Sequence, residues 1–217
     1  MSSIERSRGL CANKTIANSD KLVYSRSMST KIKLGKIAEI QSGYSFRGAV
    51  KDEGRGTAVV QARDITSLYV SSDALPQVKQ PLSDGRLLRD GDVLLTSRGS
   101  FRAGVARLNA VPTVASSSLY VLRVTDESIL PEFLALYLNS PTAQTYFKQN
   151  AKGATIQSVS VSDIAAFAIP IMPLNQQRLL VDLQQNVEQQ GMLLRSKLGF
   201  IEGIYSSAIN SSLKGVA

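Results

Sequence analysis

Histidine is absent from all 217 residues, and cysteine occurs once, at Cys11. The first absence removes every scheme that needs an imidazole: a Ser-His-Asp relay, a histidine general base, a histidine zinc ligand. The second removes an intramolecular disulfide and any multi-cysteine metal site, and it fits a reducing cytoplasm. Long apolar runs are lacking too. None approaches the ~20 residues that span a bilayer, and no apolar core follows the N-terminal charges as in a secretory signal, so the chain reads as soluble, with no membrane partner. The glycine-rich loop ending in Lys-Ser or Lys-Thr that cradles ATP phosphates is missing, as is the glycine-rich strand-to-helix turn of a methyl-donor site. Asp64, Asp90 and Asp92 come nearest to a nuclease metal set. They lack a spaced Glu-x-Lys partner, and Asp90-Gly91-Asp92 reads as a turn followed by a strand start. The residues predict no catalytic centre, metal site or cofactor in this chain.

What the chain does have is a positive excess. Lys plus Arg number 25 against 17 for Asp plus Glu, a formal charge of +8. That balance suits a polyanionic partner without naming one. Residues 1–30 are serine-rich, carry Arg6, Arg8, Lys14, Lys21 and Arg26, and show no sustained periodicity, so a poorly ordered basic arm is expected there. Met28 opens the first well-patterned segment.

Residues 31–174 read as one α+β domain. Short apolar runs predict strands at 58–61, 92–96, 104–108 and 119–124. Gly54, Gly56, Asp84-Gly85, Asp90-Gly91 and Gly99 supply the turns between them. Pro131 opens a short helix over 132–138, and Ser140-Pro141 caps and opens a second over 142–149. Pro170 and Pro173 then break the pattern, and 175–217 forms a single long helix. Its apolar stripe runs through Leu180, Leu183, Val187 and Leu194. After a shift like a four-residue stutter it resumes through Leu198, Ile201 and Tyr205. The stripe is longer than a domain of this size covers, so part of it is expected to meet a partner. Gly191, Gly199 and Gly203 interrupt the helix. They imply either a break near Gly199 or close approach of a second helix.

Several stretches resemble one family, the specificity subunits of type I restriction-modification systems. They are KLGKIAEIQSGYSFRG (33–48), VVQARDI (59–65), LRDGDVLLTSRGS (88–100), LPEFLALYLNSPTAQTYF (130–147) and KGATIQSVSVSDIAAFAIPIMPLNQQRLL (152–180). The resemblance runs from about residue 33 to 210 and matches a half-length form with one target recognition domain and one spacer helix. It implies a non-catalytic subunit that reads one half of a bipartite site in double-stranded DNA, pairs its spacer helix with another in a dimeric antiparallel coiled coil, and positions methyltransferase and restriction subunits in the cytoplasm. S-adenosylmethionine, ATP and Mg would belong to those partners. The other readings are the detached recognition domain of a methyltransferase fusion and a coiled-coil assembly protein with no DNA role.

Base edges and phosphates are met by arginine, glutamine, lysine and small hydroxyls in glycine-bounded loops. Tyr44, Phe46 and Arg47 lie between Gly43 and Gly48, where the alternative is an aromatic pair anchoring the loop. Gln61 and Arg63 leave a strand before Asp64, where the alternative is a surface ion pair worth under about 1 kcal/mol. Ser97, Arg98 and Arg102 flank Gly99. Ser117 sits in a serine run before a strand. Lys152 and Thr155 surround Gly153, with a plain turn as the alternative. These residues are the expected DNA-facing set.

Overall fold

The computed structural model describes residues 30–79 and 82–214. The expected basic arm, apart from Thr30, lies outside the described residues, as does Cys11.

The element order is β1 (Lys31–Lys33), α1 (Leu34–Ile37), β2 (Ala38–Ser42), β3 (Thr57–Val60), β4 (Tyr69–Ser71), β5 (Gln77–Val78), β6 (Val93–Thr96), β7 (Ala103–Arg107), β8 (Thr113–Ala115), β9 (Leu119–Val124), α2 (Pro131–Leu138), α3 (Pro141–Asn150), α4 (Val161–Ala166), β10 (Ala168–Pro170) and α5 (Leu174–Lys214), with short 3-10 turns at Ala62–Asp64 and Asp84–Arg86. The mixed α+β architecture and the long C-terminal helix match the expectation.

Three layers explain why the apolar runs are uninterrupted rather than alternating. A five-stranded sheet, in the order β2-β9-β6-β7-β4, lies between a helical layer and a three-stranded sheet, β5-β3-β8. In β6, Val93 and Leu95 join the core shared with α2, α3 and α4, while Leu94 points the other way, toward Val60 and Ala115 of the small sheet. Side chains alternate along a strand, so a strand covered on both sides needs apolar residues at every position. The small sheet is itself two-sided. Val59 and Val114 turn to its outer face, where Tyr44, Phe46, Val50 and Leu82 cover them.

The helices begin where the chemistry of their first turns allows. Pro131 and Pro141 occupy first-turn positions that have no backbone donor to lose, and the Ser140 hydroxyl accepts from the Ala143 amide at 3.3 Å. The sequence reading did not include α4. Its start is a Ser-x-x-Asp cap, in which the Asp163 amide donates to the Ser160 hydroxyl at 3.2 Å. β1, β5, β8 and β10, of two or three residues each, are too short to show a period.

α5 is 41 residues long, about 60 Å at 1.5 Å per residue. The helix continues unbroken through Gly191, Gly199 and Gly203, so of the two alternatives the break near Gly199 is not there. Among the described residues, nothing lies within 4 Å of a Cβ built at Gly199 or Gly203. Only the first turns of the helix touch the domain. Gln177 is fully buried: its carbonyl accepts from the Leu130 amide at 2.9 Å, and its amino group donates to the Ser128 and Met172 carbonyls at 2.7 and 2.8 Å. Val181 is buried, and Leu180 packs partly against the same core. Leu180, read in the sequence as part of the dimerising stripe, therefore belongs in part to the domain. Helical phase accounts for this, because 177, 180, 181 and 184 share one face.

Candidate nucleic-acid interface

Strand direction brings the candidate loops to one end of the molecule. β2, β3, β6 and β8 all finish there, and β9 begins there. The Gly43 amide donates to Leu119 O at 2.9 Å and the Tyr44 amide to Ala115 O at 2.7 Å. The Ser116 amide donates to Val60 O at 2.8 Å and the Ser97 amide to Ser118 O at 2.9 Å. Residues 43–44, 61, 97 and 116–118 are thus stitched together through the backbone. Gly43 is needed for this approach, because a Cβ there would overlap the Ser116 carbonyl.

A fifth loop joins them. Lys152 and Ser158 exchange two backbone hydrogen bonds, both 2.9 Å, closing the loop between them, and the Gly99 amide donates to Gln157 O at 3.0 Å. Gly153 sits at φ +118°, and a Cβ there would run into the Ile156 carbonyl. The tip presents Thr155 and Ile156 to solvent, and Ile156 is 59% exposed. Tyr120 holds the base of this loop, its hydroxyl donating to Val159 O at 2.9 Å. Burial raises the Tyr120 pKa, and nearby Arg98 works against that shift.

The end is cationic. Arg47, Arg63, Arg98 and Lys152 are all exposed on these loops. The Arg98 side chain has no hydrogen-bond or ion-pair partner among the described residues. Arg63 approaches Asp64 only at 3.8 Å, with its side chain 70% exposed, a surface pair worth less than about 1 kcal/mol. The Asp64 carboxylate is engaged in holding the turn, accepting from the Gln61 amide at 2.8 Å. Asp90 and Asp92 stand at the far end of β6, about 13 Å away by strand rise, and do not offset the charge.

Two buried polar groups here lack partners among the described residues: Nε2 of Gln61 and Oγ of Ser97. A buried unpaired donor typically costs about 1–3 kcal/mol, so such groups mark places where a further hydrogen-bonding partner is accommodated. Ser116 and Ser118, by contrast, satisfy each other at 2.7 Å, and Ser118 also accepts from the Ala62 amide at 3.3 Å. Ser117 is left exposed at the turn between them.

Not every candidate joins this end. Arg102 braces the chain behind it, donating from Nη1 to Ile65 O at 3.3 Å and from Nε to Ser100 Oγ at 3.2 Å. It lines a cleft of about 490 Å³ beside α5 instead. Tyr44 and Phe46 meet edge to face, with ring centroids 4.8 Å apart, over Val59 and Val114. That packing is the aromatic pair of the alternative reading, and Arg47 is exposed on the same loop. Tyr120 and Ile156 were missed in the sequence reading. Tyr120 lies inside a strand and Ile156 is apolar, so neither carried a polar-loop signal.

Among the described residues no group of three or more His, Cys, Asp or Glu side chains is placed to hold a metal ion, and no helix is long and apolar enough to cross a membrane.

The family model for the type I restriction modification DNA specificity domain matches residues 27–198. The chain belongs to this family. Three solved structures share the fold of the specificity domain. A chain from work on the complex assembly and conformational transition of the type I R-M system is 24% identical with a TM-score of 0.56, covering 76% of this chain and 39% of that one. The HsdS subunit from Thermoanaerobacter tengcongensis is 24% identical with a TM-score of 0.51, covering 74% and 37%. The type I S subunit from M. genitalium is 16% identical with a TM-score of 0.52, covering 77% and 41%. The specificity domain thus matches less than half the length of each of these chains. No curated protein matches it. α5 is included in the family match as far as Leu198, so helix and domain form one recognisable unit.

On α5 the remaining members of the apolar stripe face away from the domain: Leu183 59%, Val187 59%, Leu194 67%, Leu198 56%, Ile201 61% and Tyr205 68% exposed.

Proposed function

We propose that this specificity domain reads one half of a bipartite site in double-stranded DNA through the end formed by residues 43–48, 61–64, 97–100, 116–118 and 152–158. The observation that carries the reading is the convergence of these five loops into a cationic surface holding two buried, unpartnered polar groups. Arg98 faces base edges, with Gln61 and Ser97 behind it, while Arg47, Arg63, Ser117, Lys152 and Thr155 meet phosphate and sugar oxygens. Arg102, Tyr44 and Phe46 hold the loops in place.

The outward stripe of α5 pairs with a second α5 in antiparallel fashion, producing a homodimer with two recognition ends related by a twofold axis. The target of such a dimer is an interrupted palindrome. Methyltransferase and restriction subunits bring S-adenosylmethionine, Mg and ATP, and this chain positions them without catalysing a step. An assembly protein without a DNA role has no use for Arg98, unpaired among the described residues, and exposed Lys152 on glycine-bounded loops.

The test is selection of bound duplexes from a randomised library by the purified chain, with its mass measured by light scattering. Enrichment of one inverted repeat at a fixed spacing, bound by a dimer, is the expected result. Recovery of unenriched sequence overturns the reading.

A further inference from the structure

The contact between α5 and the domain has an inner and an outer part. At the inner part, Gln177 and Val181 are buried in the domain. At the outer part, Gln185 Nε2 donates to the Tyr69 hydroxyl at 2.7 Å, and the Glu188 carboxylate accepts from the Leu68 amide at 3.3 and 3.4 Å and from Gln184 Nε2 at 2.9 Å. Tyr69 is in turn fixed on its other side. The Arg107 guanidinium lies 4.7 Å from its ring centroid, and Arg107 is tied to Glu132 at 2.7 Å and to Asp90 at 3.4 Å. Between the two parts runs a lightly packed cleft lined by Leu180, Gln184, Leu136 and Tyr137. Beyond Gly191, residues 192–210 of α5 are exposed.

We propose that Gln185 and Glu188 are positioning residues: they latch α5 against β4 and so fix the angle between the spacer helix and the DNA-reading end, which sets the spacing of the two half-sites. The inference rests on the function proposed above.

Lever arithmetic makes the latch consequential. Gln177 and Glu188 are about 16 Å apart along the helix, and the far end of α5 is about 55 Å from Gln177. Slack of about 1.5 Å at the latch is a rotation of about 5°, which moves the far end by about 5 Å. That exceeds the ~3.4 Å rise of one base pair. Without the latch, the buried inner contact still holds helix and domain together, but as a pivot. Half-site reading is then unaffected while spacing is not. The partners of the latch are the Tyr69 hydroxyl on β4 and the Leu68 amide just before it, with Arg107 of β7 behind Tyr69.

Two measurements test this, the first without DNA. In a Cys11→Ser background, Glu127→Cys and Ser196→Cys carry spin labels, and labelled chains are diluted with unlabelled ones so that only intrachain distances are read. Gln185→Ala with Glu188→Ala is expected to broaden the distance distribution about twofold, and Glu188→Gln, which keeps an acceptor oxygen, to leave it near wild type. An unchanged width in the double variant overturns the latch whatever the protein binds. The second is duplex selection with randomised spacing. Wild type is expected to enrich one spacing, and the double variant the same half-sites at that spacing and one base pair either side, within about threefold. A double variant as narrow as wild type, or one that loses half-site preference, overturns the inference. A wild type that enriches no interrupted site overturns the function and this inference together.

Discussion

The carboxylate of Asp92 holds the guanidinium of Arg123 in a two-pronged ion pair, 2.9 Å from Nε and 2.6 Å from Nη2. Asp92 is 2% exposed and Arg123 bridges from β9 to the start of β6, so the pair ties the central strands at the end opposite the candidate interface. The hydrogen bond to Asp92 raises the Arg123 pKa, keeping it charged throughout the accessible range. Removing one partner leaves a buried charge uncompensated. Arg123→Ala is therefore expected to lower stability by about 3 kcal/mol in urea unfolding. A loss below about 1 kcal/mol refutes the assignment.

Gln177 satisfies three backbone groups, the Leu130 amide and the Ser128 and Met172 carbonyls. Gln177→Leu keeps the volume and leaves one buried amide and two carbonyls unpaired, so a loss of about 2–4 kcal/mol is expected, read as a fall in Tm. If Gln177→Leu melts with wild type, the helix is held by apolar packing alone.

Gly153→Ala separates loop shape from overall stability. The positive φ and the clash with the Ile156 carbonyl force the loop to change, while the loop contributes little to the core. DNA affinity is expected to drop about tenfold with Tm within a few degrees of wild type. Equal affinity means that the 152–158 loop does not meet DNA.

Arg98→Ala and Arg102→Ala are expected to differ in kind. Arg98 has no side-chain partner among the described residues, so its loss should weaken DNA binding by about 1–3 kcal/mol, with Tm unchanged. Arg102 holds Ile65 O and Ser100 Oγ, so its loss should lower Tm first. If Arg47, Arg63 and Lys152 each neutralise one phosphate, log affinity falls with log salt at a slope of about −2.7 per domain. Paired titrations and melts of the two variants decide it.

Leu194→Glu with Leu198→Glu places charge on the outward stripe, where no domain contact is disturbed. The expected result is a monomer by light scattering with domain stability unchanged. A dimer that survives both substitutions pairs through some other surface.

The sequence by itself determined the absence of histidine chemistry, the α+β class, the long helix after Pro173, and the polar loops that include Arg98 and Lys152. Each of these is a local signal: a missing residue type, a period, a proline, a glycine beside an arginine. It also placed the strand at 119–124 as observed. Only the tertiary structure decided which of those loops share an end, because that follows from strand direction and from the small sheet stacking on the large one. Tertiary structure likewise separated Arg98 from Arg102, four residues apart in one loop, and turned Leu180 toward the domain while Leu183 faces out. Both distinctions depend on what lies across space from a side chain, and sequence spacing carries no information about that.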